Sequence, residues 1–568
     1  KRADEFSSIT NYRLQQLVRS GRVLYGDPLT AYANKIVEKL DEHAEEDLSN
    51  IEVYTLKSNE VNAFATHQGL IFVTVGLWGQ LANEAQLAYV LAHEITHITE
   101  KHNLLTYQNT KDLFTKGRFG SGTISEYYRY SKENEEESDE AGFKLAAKAG
   151  YDAEAIYNTF NVLLYSYLPV DEVVFDYSFV ENEYFKIAES LKLDEVEGID
   201  AEEDVDDEFH THPNIRSRRY NVRDLLSRYD GGEIYLLEDE ATFKKFRNLA
   251  RFEMVNIFMR DGDYINGLYH NFVLQQQYAN NLFLKETEAM MWYGHTALVE
   301  RDQTEYTTNY RKKQGEIQQL YYFLYKLQNK DLAALATKQI WEASLQNPKS
   351  EILLELRKRV MRNFVSYEDN KLGSFASEIK QVEVETDTGE KELSKYDKIK
   401  KKQSKGDQSR PTYNALIGLV TNEDFKAAYF KAEEFLEDKD KATEETTARR
   451  KPQHSTLDID NLMMIAPIYN PNDKRKSTSK NISKNDVTSS TLTEMVEKNA
   501  DKLGMNIIFV NNFTAEDFNT EKYNQFSVIF DYLAERSNYR GQDFYPYNAK
   551  HIADVTNAYG TKYLGLVG

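Results

Sequence analysis

Five residues, His93-Glu94-Ile95-Thr96-His97, constrain this chain more than any other stretch. Two histidines four apart on a helix lie about 40° apart around its axis, so both imidazoles project from nearly the same face. Leu87, Leu91, Ile95 and Ile98 form a separate apolar stripe, within about 80° of each other, that faces a core. The histidines lie more than a quarter turn from it, on the side where a cleft can open. Both rings can reach one divalent cation at ~2.0–2.1 Å. Glu94 lies next to them, where a carboxylate can take a proton from an attacking water. The chain has no cysteine, so disulfide frameworks, thiolate metal sites and thiol catalysis are excluded. Any metal is held by His, Asp or Glu.

A site of this kind needs a third protein ligand and keeps its fourth position open. Downstream, Glu135, Asp139, Gly142 and Ala146 share one helical face. Glu135 can enter the metal shell while Asp139 fixes a ligand histidine through its other ring nitrogen. Gly142 and Ala146 would let two helices approach closely. The same acidic run, 133–140, also reads as a solvated helix face.

The expected fold class is multidomain α+β, because 568 residues are too many for one core. Residues 1–230 read as a mainly helical, zincin-type domain with a small β-sheet. Its sheet spans 51–75, with a hairpin at His67-Gln68-Gly69. One helix is predicted from Asn83 to His102 and another from Ser131 to Ala149, stopping at Gly150. Residues 194–208 should be a mobile acidic loop. Tetratricopeptide-like helical repeats follow over 235–365, then a polar linker over 366–410 and a helical pair over 411–440. A small α/β domain with a mainly parallel sheet closes the chain over 457–568. Its strands are predicted at 462–468, 506–510 and 562–567, and its helices at 489–503 and 521–536.

The net charge of −22 repels phosphate backbones and argues against nucleic acid as a partner. No apolar run approaches the ~18 residues that a transmembrane segment needs. The chain opens at Lys1 without a start Met, which suggests that a signal peptide or lipid anchor has been removed. Absence of cysteine fits export.

Residues from about 10 to 225 resemble the HtpX and CAAX prenyl protease family of zinc metallopeptidases. The motifs that carry the resemblance are Asn62-Ala63-Phe64-Ala65 with Gly69-Leu70-Ile71-Phe72-Val73, and Asn83-Glu84-Ala85-Gln86-Leu87-Ala88 leading into His93–His97. They continue with Ser131-Lys132-Glu133-Asn134-Glu135, Asp139 and Gly142, then Ala149-Gly150-Tyr151-Asp152, then Thr211-His212-Pro213 with Arg216. Lys132 and Ser138 depart from the family's usual Arg and Ala; neither change removes a ligand. The resemblance implies one Zn²⁺ held by His93, His97 and Glu135, with Asp139 behind a ligand. It implies Glu94 and His212 as catalytic residues, Arg216 as support, and a substrate strand at Asn62, Ala63 and Phe64.

The implied function is a zinc-dependent endopeptidase acting on protein or peptide substrates in envelope quality control or processing. Its expected location is periplasmic or outer-membrane associated, or extracellular. The alternative is an assembly scaffold whose helical repeats hold protein partners with little or no proteolysis. His102, nine positions after His93, is expected on the far side of the predicted helix in a structural role. His67 is expected to be a turn residue. The acidic stretch reads either as a surface loop or as a lid or plug over the cleft, with His212 holding zinc until substrate displaces it.

Overall fold

The computed structural model describes residues 2–109, 131–200, 215–229, 231–300, 309–372, 413–448, 459–467, 478–511, 519–539 and 544–565. It is mostly helical, with two small sheets and several modules, as the sequence predicts. Among the described residues no helix is long and apolar enough to cross a membrane.

The first sheet holds β1 (Glu52–Leu56), β2 (Ala63–Ala65) and β3 (Leu70–Thr74) in the order β1-β3-β2. β1 runs parallel to β3, with Val53 opposite Ile71, and β2 runs antiparallel to it, with Phe64 opposite Phe72. The β2–β3 turn passes through Gly69 at φ +91, and a Cβ there would meet the Asn50 carbonyl oxygen at 2.7 Å. Strand side chains alternate between faces. Val53, Ala63, Ala65, Ile71 and Val73 enter a core shared with helices Pro28–Asp41 and Glu84–Thr99. Leu56, Phe64 and Phe72 point the other way, into a second cluster with Tyr523, Phe526 and Ile529. Burial on both faces explains why β3 is a continuous apolar run.

Helix Glu84–Thr99 starts at Asn83, whose side chain accepts from the Gln86 amide at 3.0 Å, and it is buried almost all round. Its buried Glu84 accepts hydrogen bonds from the Tyr32 and Tyr151 hydroxyls and from the amides of Leu236 and Leu237. One carboxylate thus joins four segments of the domain. The helix stops at Thr99, three residues short of the predicted end. Lys101 takes a left-handed conformation at φ +56, and a separate helix, His102–Asn109, begins. No glycine marks this break in the sequence.

Helix Lys132–Lys148 is capped by Ser131 and ends before Gly150, which sits at φ +101. It crosses helix Glu84–Thr99 at Gly142, where a Cβ would lie 2.8 Å from the His93 amide nitrogen. Only a residue without a side chain permits that approach.

Six helices follow, Glu240–Asp261, Tyr264–Gln277, Leu282–Val299, Ile317–Lys326, Asn329–Gln346 and Glu351–Val365; the first three and the last two pack on their neighbours, Leu282–Val299 also packs on Asn329–Gln346, and Ile317–Lys326 rests on Tyr264–Gln277. Gly262 closes the first at φ +73, and Ser350 caps the last through the Leu353 amide. Phe175, Val180, Phe185 and Ile187, though N-terminal to these helices, bury their side chains in the same core. The described part of the acidic stretch, 194–200, forms no helix or strand. The Glu197 carbonyl accepts from the Gly315 amide, and the Glu197 and Asp200 amides donate to the side-chain oxygens of Gln318 and Gln314, which ties residues 197–200 to the helical array. Residues 201–208 lie outside the described residues, as does most of the predicted linker.

The C-terminal sheet joins β4 (Asn461–Met464), β5 (Asn506–Phe509) and β6 (Leu564–Gly565), all parallel, in the order β5-β4-β6. Helices Thr478–Leu503, Thr520–Ser537 and Ala549–Tyr559 accompany it; the sequence reading missed the last. This module docks on the first sheet and on helix Arg2–Val18. Tyr523 donates to the Val18 carbonyl at 2.7 Å and Ser527 to the Gly21 carbonyl at 2.6 Å. Lys57 and Asp531 form a buried ion pair at 2.6 Å.

Candidate metal centre

The crossing at Gly142 sets Glu135 against the histidine pair. His93 Nε2 and His97 Nε2 lie 3.0 Å apart, and the Glu135 carboxylate oxygens lie 3.7 and 3.5 Å from them. All three side chains are buried. Their ligand atoms fall within 4.8 Å of one another, and among the described residues this is the one His/Asp/Glu cluster able to hold a cation.

The rear nitrogens show what these faces offer. His93 Nδ1 lies 3.0 Å from Asp139 Oδ1, so its proton belongs on Nδ1 and its Nε2 presents a lone pair. Two imidazole lone pairs and a carboxylate converging away from bulk water repel each other unless a cation lies among them. Two nitrogens and an oxygen suit Zn²⁺. The residues present therefore fit the metal that the sequence implies.

Asp139 is itself held. Tyr89 donates to it at 2.9 Å, and Arg218 donates through Nε and Nη2, both at 2.7 Å. Arg218 Nη1 also meets Glu135 Oε2 at 2.7 Å. Burial pushes the Asp139 carboxyl up, but the Arg218 charge, its hydrogen bonds and His93 outweigh that and hold it far below the usual carboxylate range. Burial disfavours the Arg218 cation, yet Asp139 and Glu135 together raise its pKa above the ordinary value. Asp139 stays charged and aimed at His93.

Residues 29–226 match the model of Peptidase family M48. Over 170 residues the chain is 29% identical to the Beta-barrel assembly-enhancing protease of Escherichia coli (strain K12), covering 26% of this chain and 35% of that protein. The protein of the same name from Yersinia pestis is 26% identical over 178 residues, 27% of this chain and 37% of the relative. Metalloendopeptidase OMA1, mitochondrial, of Bos taurus is 29% identical over 126 residues, 18% of this chain and 24% of the relative. The chain spans about a third of the length of the bacterial relatives it matches.

Within the M48 region, the predicted residues are distributed as follows. Glu94 is buried on the same helix as the two histidines. Ala63 and Phe64 lie in β2, an outer strand that packs against the motif helix, and Asn62 precedes it, its carbonyl accepting from the Thr74 amide at 3.0 Å. His212, with His210 beside it, lies outside the described residues. Arg216 is exposed on helix Ile215–Leu226; the arginine that reaches the carboxylates is Arg218. The signal for it was in the sequence: 215, 218, 222 and 225 form one helical stripe, and its other three members are Ile, Val and Leu. An arginine inside an apolar stripe is a buried cation in need of anions.

His102 is not on the far side of the motif helix. The turn at Lys101 folds it back, so that its Nδ1 lies 3.0 Å from His97 Nδ1 and its Nε2 lies 3.2 Å from Glu137. Ser138 Oγ stands 3.3 Å from His97 Nδ1 and 3.4 Å from His102 Nδ1. His67 sits in the β2–β3 turn, tilted against the Phe6 ring.

Proposed function

We propose that this protein is a zinc-dependent endopeptidase of the HExxH, glutamate-ligand type, akin to HtpX and CAAX prenyl proteases. The observation that carries the reading is the convergence of His93, His97 and Glu135 in a buried cluster inside the M48 region. One zinc ion bound there would supply Lewis acidity, polarising a scissile carbonyl and acidifying water. Glu94 takes the proton from the attacking water and delivers it to the leaving amine. Asp139, gripped by Arg218 and Tyr89, keeps the His93 ring in one orientation. His212 is assigned to stabilise the oxyanion. The substrate lies extended beside Asn62, Ala63 and Phe64, recognised through its backbone.

The substrates are proteins of the bacterial envelope, and the setting is quality control in the periplasm or at the outer membrane. The name of the bacterial relatives, Beta-barrel assembly-enhancing protease, supports this reading. The helical array supplies a surface for protein partners. Glu94→Gln tests the assignment: the variant should bind zinc as the wild type does and cleave casein at least ~10³-fold more slowly. Undiminished cleavage would refute it. A wild-type chain that binds no zinc and cleaves nothing, yet retains protein partners, would favour the scaffold.

A further inference from the structure

The two histidines of the centre are supported from behind in different ways. His93 rests on a carboxylate, Asp139, that is itself locked by an arginine and a tyrosine. Behind His97 stands another imidazole. His97 Nε2 faces Glu135 and His93, so its lone pair belongs there and its proton belongs on Nδ1. His102 Nδ1, 3.0 Å away, must then be the acceptor. A neutral imidazole that accepts at Nδ1 carries its proton on Nε2, and His102 Nε2 lies 3.2 Å from Glu137 Oε2. Every donor therefore finds an acceptor, in one direction only. The Ser138 hydroxyl, within 3.4 Å of both Nδ1 atoms, can accept from the His97 N–H and donate to His102.

We propose that Glu137, His102 and Ser138 form a positioning relay that fixes His97 in the tautomer and orientation in which Nε2 binds zinc. The inference deepens the endopeptidase reading and rests on it. His102 touches neither substrate nor metal; it acts through His97. The two supports differ in exposure. His102 is 2% exposed and Asp139 1%, whereas Glu137 is 58% exposed. The His97 support thus ends in solvent, and the His93 support ends inside the protein. The left-handed Lys101 builds this relay by ending the motif helix early and returning the chain to it.

The test is zinc affinity of the full chain, stripped of metal and titrated against a chromophoric chelator, with no substrate present. His102→Leu removes the acceptor and should weaken zinc by ~10–100-fold, as loss of such outer partners does elsewhere. His102→Asn places an amide oxygen near the former Nδ1 and should recover most of that loss. Glu137→Ala, at an exposed position, should keep the fold and weaken zinc less than His102→Leu. With saturating zinc, KM should stay near the wild-type value in all three. Unchanged zinc affinity in both His102→Leu and Glu137→Ala overturns the relay, as does an Asn variant no better than Leu. If His102→Leu does not fold, Glu137→Ala decides alone. These outcomes leave the endopeptidase reading standing, whereas a wild-type chain without zinc affinity removes that reading as well.

Discussion

Arg218 donates to two carboxylates from a position with 2% exposure, and its removal would strand both charges in a dry site. Breaking a buried ion pair from one side costs ~3–5 kcal/mol. Arg218→Met should therefore lower the unfolding free energy by about that amount in urea titrations. Arg218→Lys should not restore it, since an ammonium cannot make the forked contact. Arg216→Ala, two residues away and exposed, should stay within ~0.5 kcal/mol of wild type. The contrast shows what single residues disclose before folding is known. His93 and His97 were legible because helical spacing sets two ring directions, whereas Glu135 was picked out of an acidic run by the family resemblance. Arg218 was legible in the same code but was passed over for its neighbour. His102 was not legible: its place depends on a left-handed lysine, and no local residue preference predicts that strain.

At the level of elements, the centre depends on one helix crossing. Gly142 lets helix Lys132–Lys148 approach the backbone at His93, and the added methyl of Gly142→Ala has 2.8 Å of room. The helices must separate by tenths of an ångström, which moves Glu135 away from the histidines. Overpacking of this kind costs ~1–3 kcal/mol. Gly142→Ala should lose that much stability and bind zinc more weakly by calorimetry; an unaltered zinc isotherm would show that the spacing is not critical. The helical array carries its own pH response. Burial pushes His295 down to about 4, and burial together with the Arg251 charge does the same to His270. Each is neutral when folded and free to protonate near pH 6.5 when unfolded. Between those values the unfolded chain binds more protons, so stability falls as pH drops from about 6.5 to 4 and levels off below. The loss is on the order of 3 kcal/mol per histidine. His295→Gln should gain on wild type by about that amount between pH 7.5 and pH 4, read from urea midpoints at each pH.

Across the whole molecule, local patterns foretold the modules but not their contacts. The C-terminal parallel sheet was readable from alternating strands and helices. Its docking was not, because no periodicity ties Phe64 and Phe72 to Tyr523, Phe526 and Ile529 more than 440 positions later. The docked face makes a testable link. Phe526→Ala should cost ~3–5 kcal/mol if the site does not collapse. It should also speed hydrogen exchange at the β3 amides, measured by mass spectrometry of peptides covering 70–74. Unchanged β3 exchange would mean that the module rests on the sheet without bracing it. The same contact bears on synthesis. A ribosome that has delivered β1 to β3 has left one aromatic side of them in water, and the residues Tyr523, Phe526 and Ile529 that cover it emerge more than 440 positions later. The first sheet therefore waits for residues 523–529, and a chain cut short ahead of them exposes an adhesive surface that chaperones can recognise.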